Sequence, residues 1–112
     1  MTTAVFYESN GTYQIDIVGH AGYSSTGADI VCAACSVLTC TLVQCLCAER
    51  AAGNIDELKT ETYSGDVRIK VTPKQDCYDK ITQIIDTVAT GFYMLADQYP
   101  KNVRISTETG EK

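Results

Sequence analysis

Histidine and proline are scarce in this chain, and clustered positive charge is missing. Nine lysines and arginines stand against fourteen aspartates and glutamates, and the basic residues form no run that could follow a phosphate backbone. Direct nucleic-acid binding is therefore not expected, and a net charge of -5 is mainly a matter of solubility. Two prolines and eight glycines in 112 residues exclude a disordered or fibrous chain. Internal repeats, low-complexity tracts and linkers are missing too, so one domain over residues 1–112 is expected, long enough for a core without staples. The opening Met-Thr-Thr-Ala-Val-Phe-Tyr-Glu lacks the basic and apolar regions of a signal peptide, which predicts a cytoplasmic location. His20 is the single histidine, so any imidazole chemistry runs through one position.

Cysteine, by contrast, is plentiful. Cys32, Cys35, Cys40, Cys45 and Cys47 fall in one helix-like stretch, with Cys77 elsewhere. Most pairs along a helix point in different directions and cannot bridge, so in a reducing compartment most are expected to be small buried hydrophobes. As metal ligands, Cys32, Cys35 and His20 lack a fourth partner. Neither a metal nor a cofactor is expected.

Alternation and punctuation predict the elements. Thr3 to Glu8 is strand-like, Asn10-Gly11 favours a tight hairpin, and Tyr13, Ile15 and Ile17 alternate with polar residues. Asp29 to about Ala52 contains no proline or glycine and is apolar on nearly every side, the mark of a buried helix. Thr39, Thr41, Gln44 and many small residues argue against a membrane span, and Gly53 ends the helix. A second hairpin follows, from Leu58 to Tyr63 and from Val67 to Val71, around Ser64-Gly65-Asp66. Ile81, Ile84, Ile85, Val88, Phe92, Leu95, Ala96 and Tyr99 make an amphipathic helix stopped by Pro100. Val103 and Ile105 give a last strand, with a frayed tail from Thr107 to Lys112.

The order is β-β-α-β-β-α-β. Without its first strand this is the split βαβ, ferredoxin-like pattern, so the expected fold is α+β: a two-layer sandwich with two helices on a mainly antiparallel sheet and an extra N-terminal hairpin strand. A helix apolar all round needs cover on its outer side, and a second copy of the chain supplies it most economically, which predicts a homodimer.

Chemistry concentrates between Gly19 and Ser36. His20 leaves the carboxyl end of a strand and Cys32 starts the following helix, so both lie at one edge of the sheet. A thiol is a useful nucleophile as the thiolate, which a helix N-terminus and an imidazole both favour. Amides at Cys32 or Ala33 are candidate oxyanion donors. Asp29 fits a helix cap, and also a partner for His20 or a lure for a basic substrate. Ser36, one turn beyond Cys32, either hydrogen-bonds in the site or bonds back to the helix. Gly19, Gly22 and Gly27 provide turns. An apolar groove would need aromatic lining, for which Tyr23, Phe92 and Tyr93 are the candidates. From the residues alone, a thiol protease, a thioredoxin-like redox site at Cys32-Ala33-Ala34-Cys35 and a plain helix cysteine beside a loop histidine all stay open.

The run Gly19-His20-Ala21, then Asp29-Ile30-Val31-Cys32-Ala33-Ala34, then Ser36, closely resembles the signature of the ribosomal-processing cysteine protease Prp family. The resemblance implies a small homodimeric cytoplasmic protease that removes an N-terminal extension from large-subunit ribosomal protein 27. It implies His20 as the catalytic histidine and Cys32 as the nucleophile, with Asp29 and Ser36 as the polar residues of the motif. The segment Ala21, Gly22, Tyr23, Ser24, Ser25, Thr26, Gly27 and Ala28 matches the family's substrate-gating loop. Cys35 departs from the pattern, standing where an aliphatic residue is usual, and keeps the redox alternative open. A non-catalytic ribosome-assembly binder is the other alternative.

Overall fold

Strict alternation builds the centre of the sheet. In β1 (Thr2–Ser9) the buried side chains are Thr2, Ala4 and Phe6, and in β2 (Thr12–Val18) they are Tyr13, Ile15 and Ile17. The structure, a computed structural model, describes residues 1–25 and 27–110. Asn10 and Gly11 join the two strands at φ 53° and 82°, the left-handed pair that a two-residue hairpin demands.

The remaining elements are α1 (Ile30–Ala51), β3 (Ile55–Tyr63), β4 (Asp66–Pro73), a 3-10 turn at Gln75–Cys77, α2 (Tyr78–Gln98) and β5 (Val103–Thr109). The sheet order is β3-β4-β2-β1-β5, with β1 and β5 parallel and every other neighbouring pair antiparallel. The fold is α+β. Its β2-α1-β3 crossover leaves β4 between the connected strands, and β4-α2-β5 leaves β2 and β1 between them, a nested split βαβ. The extra N-terminal strand sits inside the sheet, between β2 and β5.

The two helices pack against each other and onto the sheet, and the core lies between the layers. Leu42 and Leu46 from α1 and Ile81, Ile85 and Phe92 from α2 meet Ile15, Ile69 and Val71 of the sheet, all essentially fully buried. Each contributes roughly 1.5–3 kcal/mol by leaving water. Phe92 packs edge-on to Phe6, ring centroids 6.1 Å apart. The Tyr13 hydroxyl pairs with Thr82 Oγ1 at 2.9 Å, and burial pushes its pKa up, so that it links β2 to α2 as a neutral group.

Three expectations need correction. The tail does not fray at Thr107: β5 runs to Thr109, paired with Phe6, Tyr7 and Glu8 of β1, and Gly110 N donates to Glu8 O at 2.6 Å. Glu111 and Lys112 lie outside the described residues. Helix α1 buries a single stripe, Val31, Cys35, Thr39, Leu42 and Leu46, while Ile30 and Val37 are 62% and 66% exposed. With a mean hydropathy of 2.2 over its most apolar window, α1 is by length and composition apolar enough to cross a membrane. Finally, only Cys35 is buried among the cysteines. Cys40, Cys45 and Cys47 are exposed, lying off the buried stripe, and all six are free thiols.

Candidate active site

The register of the sheet sets the site. Val18, the last residue of β2, pairs with Asp66, the first of β4. The Ser64-Gly65 turn between β3 and β4 therefore lies beside Gly19 and His20 as the chain leaves the sheet. Gly19 N donates to Gly65 O at 2.7 Å. Gly19 has φ 98°, and a Cβ there would collide with the Met1 carbonyl, so glycine is dictated twice over. His20 is exposed, with its ring against Gly65.

The following loop is tied down at several points. Ala21 is buried and its carbonyl accepts from Asn102 Nδ2 at 3.0 Å. Gly22 and Gly27 turn the chain at φ 69° and 90°. Tyr23 stacks edge-on against Tyr99 at 5.3 Å, and Ala28 N donates to Ser25 O at 3.0 Å. Thr26, part of the same expected loop, lies outside the described residues.

Asp29 is the organising carboxylate. It caps α1 from an extended backbone: Oδ1 accepts from Cys32 N at 2.9 Å, while Oδ2 accepts from the amides of Tyr23 at 2.9 Å and Ser24 at 3.2 Å. The Cys32 amide foremost, then those of Ser24 and Tyr23, hold its carboxyl below the usual carboxylate range. Because the folded pKa is depressed, the stabilisation is complete above the ordinary carboxylate pKa and is lost as pH falls through the lower folded value. Asp29→Asn is expected to melt below wild type at neutral pH, the gap closing once the buffer is more acidic than the usual carboxylate range. Calorimetry across that range checks it; a gap unchanged with pH would sink it.

That cap also bears on the candidate oxyanion donors. Ala33 N already donates to Asp29 O at 3.0 Å, the first backbone bond of the helix, so it has no hydrogen to spare. The Cys32 amide becomes available only when the Asp29 carboxylate moves off it.

His20, Cys32 and Ser36 line two adjoining clefts of about 440 and 430 Å³. The first runs along α1 past Cys35, Thr39, Cys40 and Val43 and is walled opposite by Thr62, Tyr63, Ser64 and Gly65. The second lies under the loop, against Gly22, Ser24, Gly27, Asp29 and Ala33. Cys32 is half-buried at the helix start. Cys35 turns inward beside the Thr2 hydroxyl, and burial pushes its thiol pKa up, which keeps it protonated and a poor nucleophile. Among the described residues no three His, Cys, Asp or Glu side chains converge on a metal position.

The aromatic lining differs from expectation. Phe92 is in the core, and Tyr93 sits over β5, its hydroxyl 3.0 Å from Thr107 Oγ1. Tyr23 caps the loop against Tyr99. The aromatic side chain in the first cleft is Tyr63, 67% exposed at the hairpin tip.

The split βαβ sandwich brings a thiol at a helix start and an imidazole onto the same clefts, an arrangement suited to thiol-dependent acyl transfer. The family model for the cysteine protease Prp matches residues 1–104, and the chain belongs to that family. It is a cysteine protease. No curated protein sequence matches it. Among solved structures it is similar to SMU.848 from Streptococcus mutans, at 26% identity and TM-score 0.68, covering 98% of this chain and 96% of that one. The S. aureus ribosomal processing protease Prp with a covalently linked product peptide is 19% identical, with TM-score 0.72 and coverage of 98% and 100%. The same S. aureus enzyme with a substrate peptide is 18% identical, with TM-score 0.69 and coverage of 96% and 99%.

Proposed function

We propose that this protease works in the cytoplasm, as a homodimer, removing the N-terminal extension of large-subunit ribosomal protein 27 through a Cys32–His20 dyad. The observation that carries the reading is that His20 and Cys32, the only imidazole and a thiol at a helix start, line the same two clefts. The S. aureus relative described with a covalently linked product peptide supports it.

In this mechanism His20 takes the thiol proton of Cys32, and the thiolate adds to the scissile carbonyl. Amides at the start of α1 receive the oxyanion, the Cys32 amide among them once Asp29 lets go of it. His20 returns the proton to the departing amine as the carbon–nitrogen bond breaks, leaving a thioester. Water then attacks with His20 as base, releasing the peptide carboxylate and restoring the thiol. The residue 21–28 loop closes over bound peptide, so the site is complete only on substrate.

The test is direct. The purified protein is mixed with the same organism's extended ribosomal protein, and the fragments are weighed by mass spectrometry. Two fragments summing to the precursor plus one water are expected. Tight binding with the precursor left whole would replace the protease reading by a ribosome-assembly binder.

The dimer rests on the uncovered apolar surface of the helical layer. Ile30, Val37 and Met94 are 62–66% exposed and rim a groove between α1 and α2 with Ala33, Leu38 and Leu95. A second copy brings the same surface and would bury both at once. Sedimentation is expected to give twice the 12.2 kDa chain mass, and Val37→Asp to give a folded monomer. A monomeric wild type would end this part of the proposal.

A further inference from the structure

His20 carries the acid–base work in the mechanism above, yet nothing in the core holds it: the side chain is exposed, past the end of β2. An exposed imidazole samples several rotamers unless something excludes all but one. Here the ring occupies the space that a side chain at position 65 would need. A Cβ built on Gly65 would lie 2.7 Å from His20 Nε2, 3.0 Å from Cε1 and 3.3 Å from Cδ2, the first of these closer than real Cβ atoms come. The contact is with the Nε2 end of the ring. Beneath it the backbone is pinned, since Gly19 N bonds Gly65 O at 2.7 Å and Gly19 is locked against the Met1 carbonyl.

We infer that Gly65 is a positioning residue for catalysis: the bare backbone of the β3–β4 turn is the seat on which the His20 imidazole rests, on the clefts that Cys32 also lines. This deepens the dyad reading and rests on it. The turn also supplies Tyr63 and Ser64 to the wall of the first cleft, so one hairpin tip both seats the base and borders the peptide path. A side chain at position 65 would lift the ring while leaving the distant sheet and helices as they are.

Gly65 has φ 72°, so a substitution there strains the backbone as well as displacing the ring, and the two effects must be separated. Gly53 is the matched control. It has φ 84°, lies past the far end of α1, and a Cβ there would meet nothing within 4 Å. Gly65→Ala and Gly53→Ala carry the same kind of strain, but only one crowds His20. Gly65→Asn is the second variant, because asparagine tolerates left-handed backbone and still carries a Cβ.

Because the chain has one histidine, its ring-proton resonances are unambiguous in an NMR spectrum. Both Gly65 variants are expected to move the His20 ring resonances and to lower kcat by up to about 100-fold with KM little changed. Gly53→Ala should leave resonances and kcat as in wild type while losing thermal stability. Unmoved His20 resonances in folded Gly65→Asn, or an equal kcat loss in Gly53→Ala, would overturn the inference. If wild type cleaves nothing, the protease reading falls, and the seat is still decided by the resonances alone.

Discussion

Cys32→Ala is expected to abolish precursor cleavage, with kcat down by about 10⁴-fold or more, while the protein stays folded and still binds the peptide. The sulfur forms the bond that makes the thioester, and no neighbour can replace it. Of the other thiols lining the first cleft, Cys40 lies two turns farther along α1, and Cys35 is buried, turned toward Thr2 and held protonated by that burial. Cys35→Ala should therefore leave kcat/KM within about threefold of wild type, since it removes a packed side chain and not the nucleophile. His20→Ala should cost roughly 10²–10⁴-fold, the usual worth of a positioned general acid–base. The double variant Cys32→Ala/His20→Ala should be no worse than Cys32→Ala, because a base without its nucleophile has nothing to act on. Mass-spectrometric product counts over a long incubation measure all four. If Cys35→Ala proved as inactive as Cys32→Ala, a two-thiol redox chemistry would account for the site better than acyl transfer.

The parts of this molecule legible in the sequence are those where side-chain pattern and backbone need coincide. Alternation in Tyr13-Ile15-Ile17 and Val67-Ile69-Val71 marks half-buried strands, Asn10-Gly11 marks a hairpin, and the stripe from Ile81 to Tyr99 marks a helix lying on a sheet. Element order then forces the split βαβ topology. The end of β5 was illegible because Thr107-Glu108-Thr109 lies on an edge strand and is held by backbone bonds to β1, which need no apolar residues. The cysteines of α1 were misread for a related reason: an apolar sequence says that a surface avoids water, and says nothing of which partner covers it.

At the site, motif spacing brought out His20, Asp29 and Cys32, which are near one another in sequence. Gly65 and Tyr63 escaped because they come from a hairpin more than thirty residues away. The signal was available in the topology. Once β4 is placed antiparallel beside β2, the turn before β4 must lie at the end of β2, where His20 emerges. The Asp29 cap was readable as a cap, but its second oxygen, spent on the Tyr23 and Ser24 amides, depends on a loop path that no local pattern specifies.

Phe92→Ala is expected to damage stability and leave specificity untouched, which separates the core from the groove for which sequence made this residue a candidate. Phe92 is fully buried and packs on Phe6 across the helix–sheet interface. Truncating such a side chain costs about 3–5 kcal/mol, transfer term and cavity together. Against a total of roughly 5–15 kcal/mol for a native domain, that is a large share, and at about 4–8 °C per kcal/mol the melting temperature should fall on the order of 15–30 °C. At a temperature where the variant is still folded, its KM for the ribosomal peptide should match wild type, because no atom of Phe92 reaches either cleft. Tyr63→Ala should do the reverse. Its ring is two-thirds exposed and contributes little to the core, so the melting temperature should hold, while loss of the cleft wall should show as a raised KM. Calorimetry paired with steady-state kinetics reads both variants. A Phe92→Ala protein of normal stability with a raised KM would mean that the peptide enters the helix–sheet interface, and the cleft along α1 would lose its place as the substrate path.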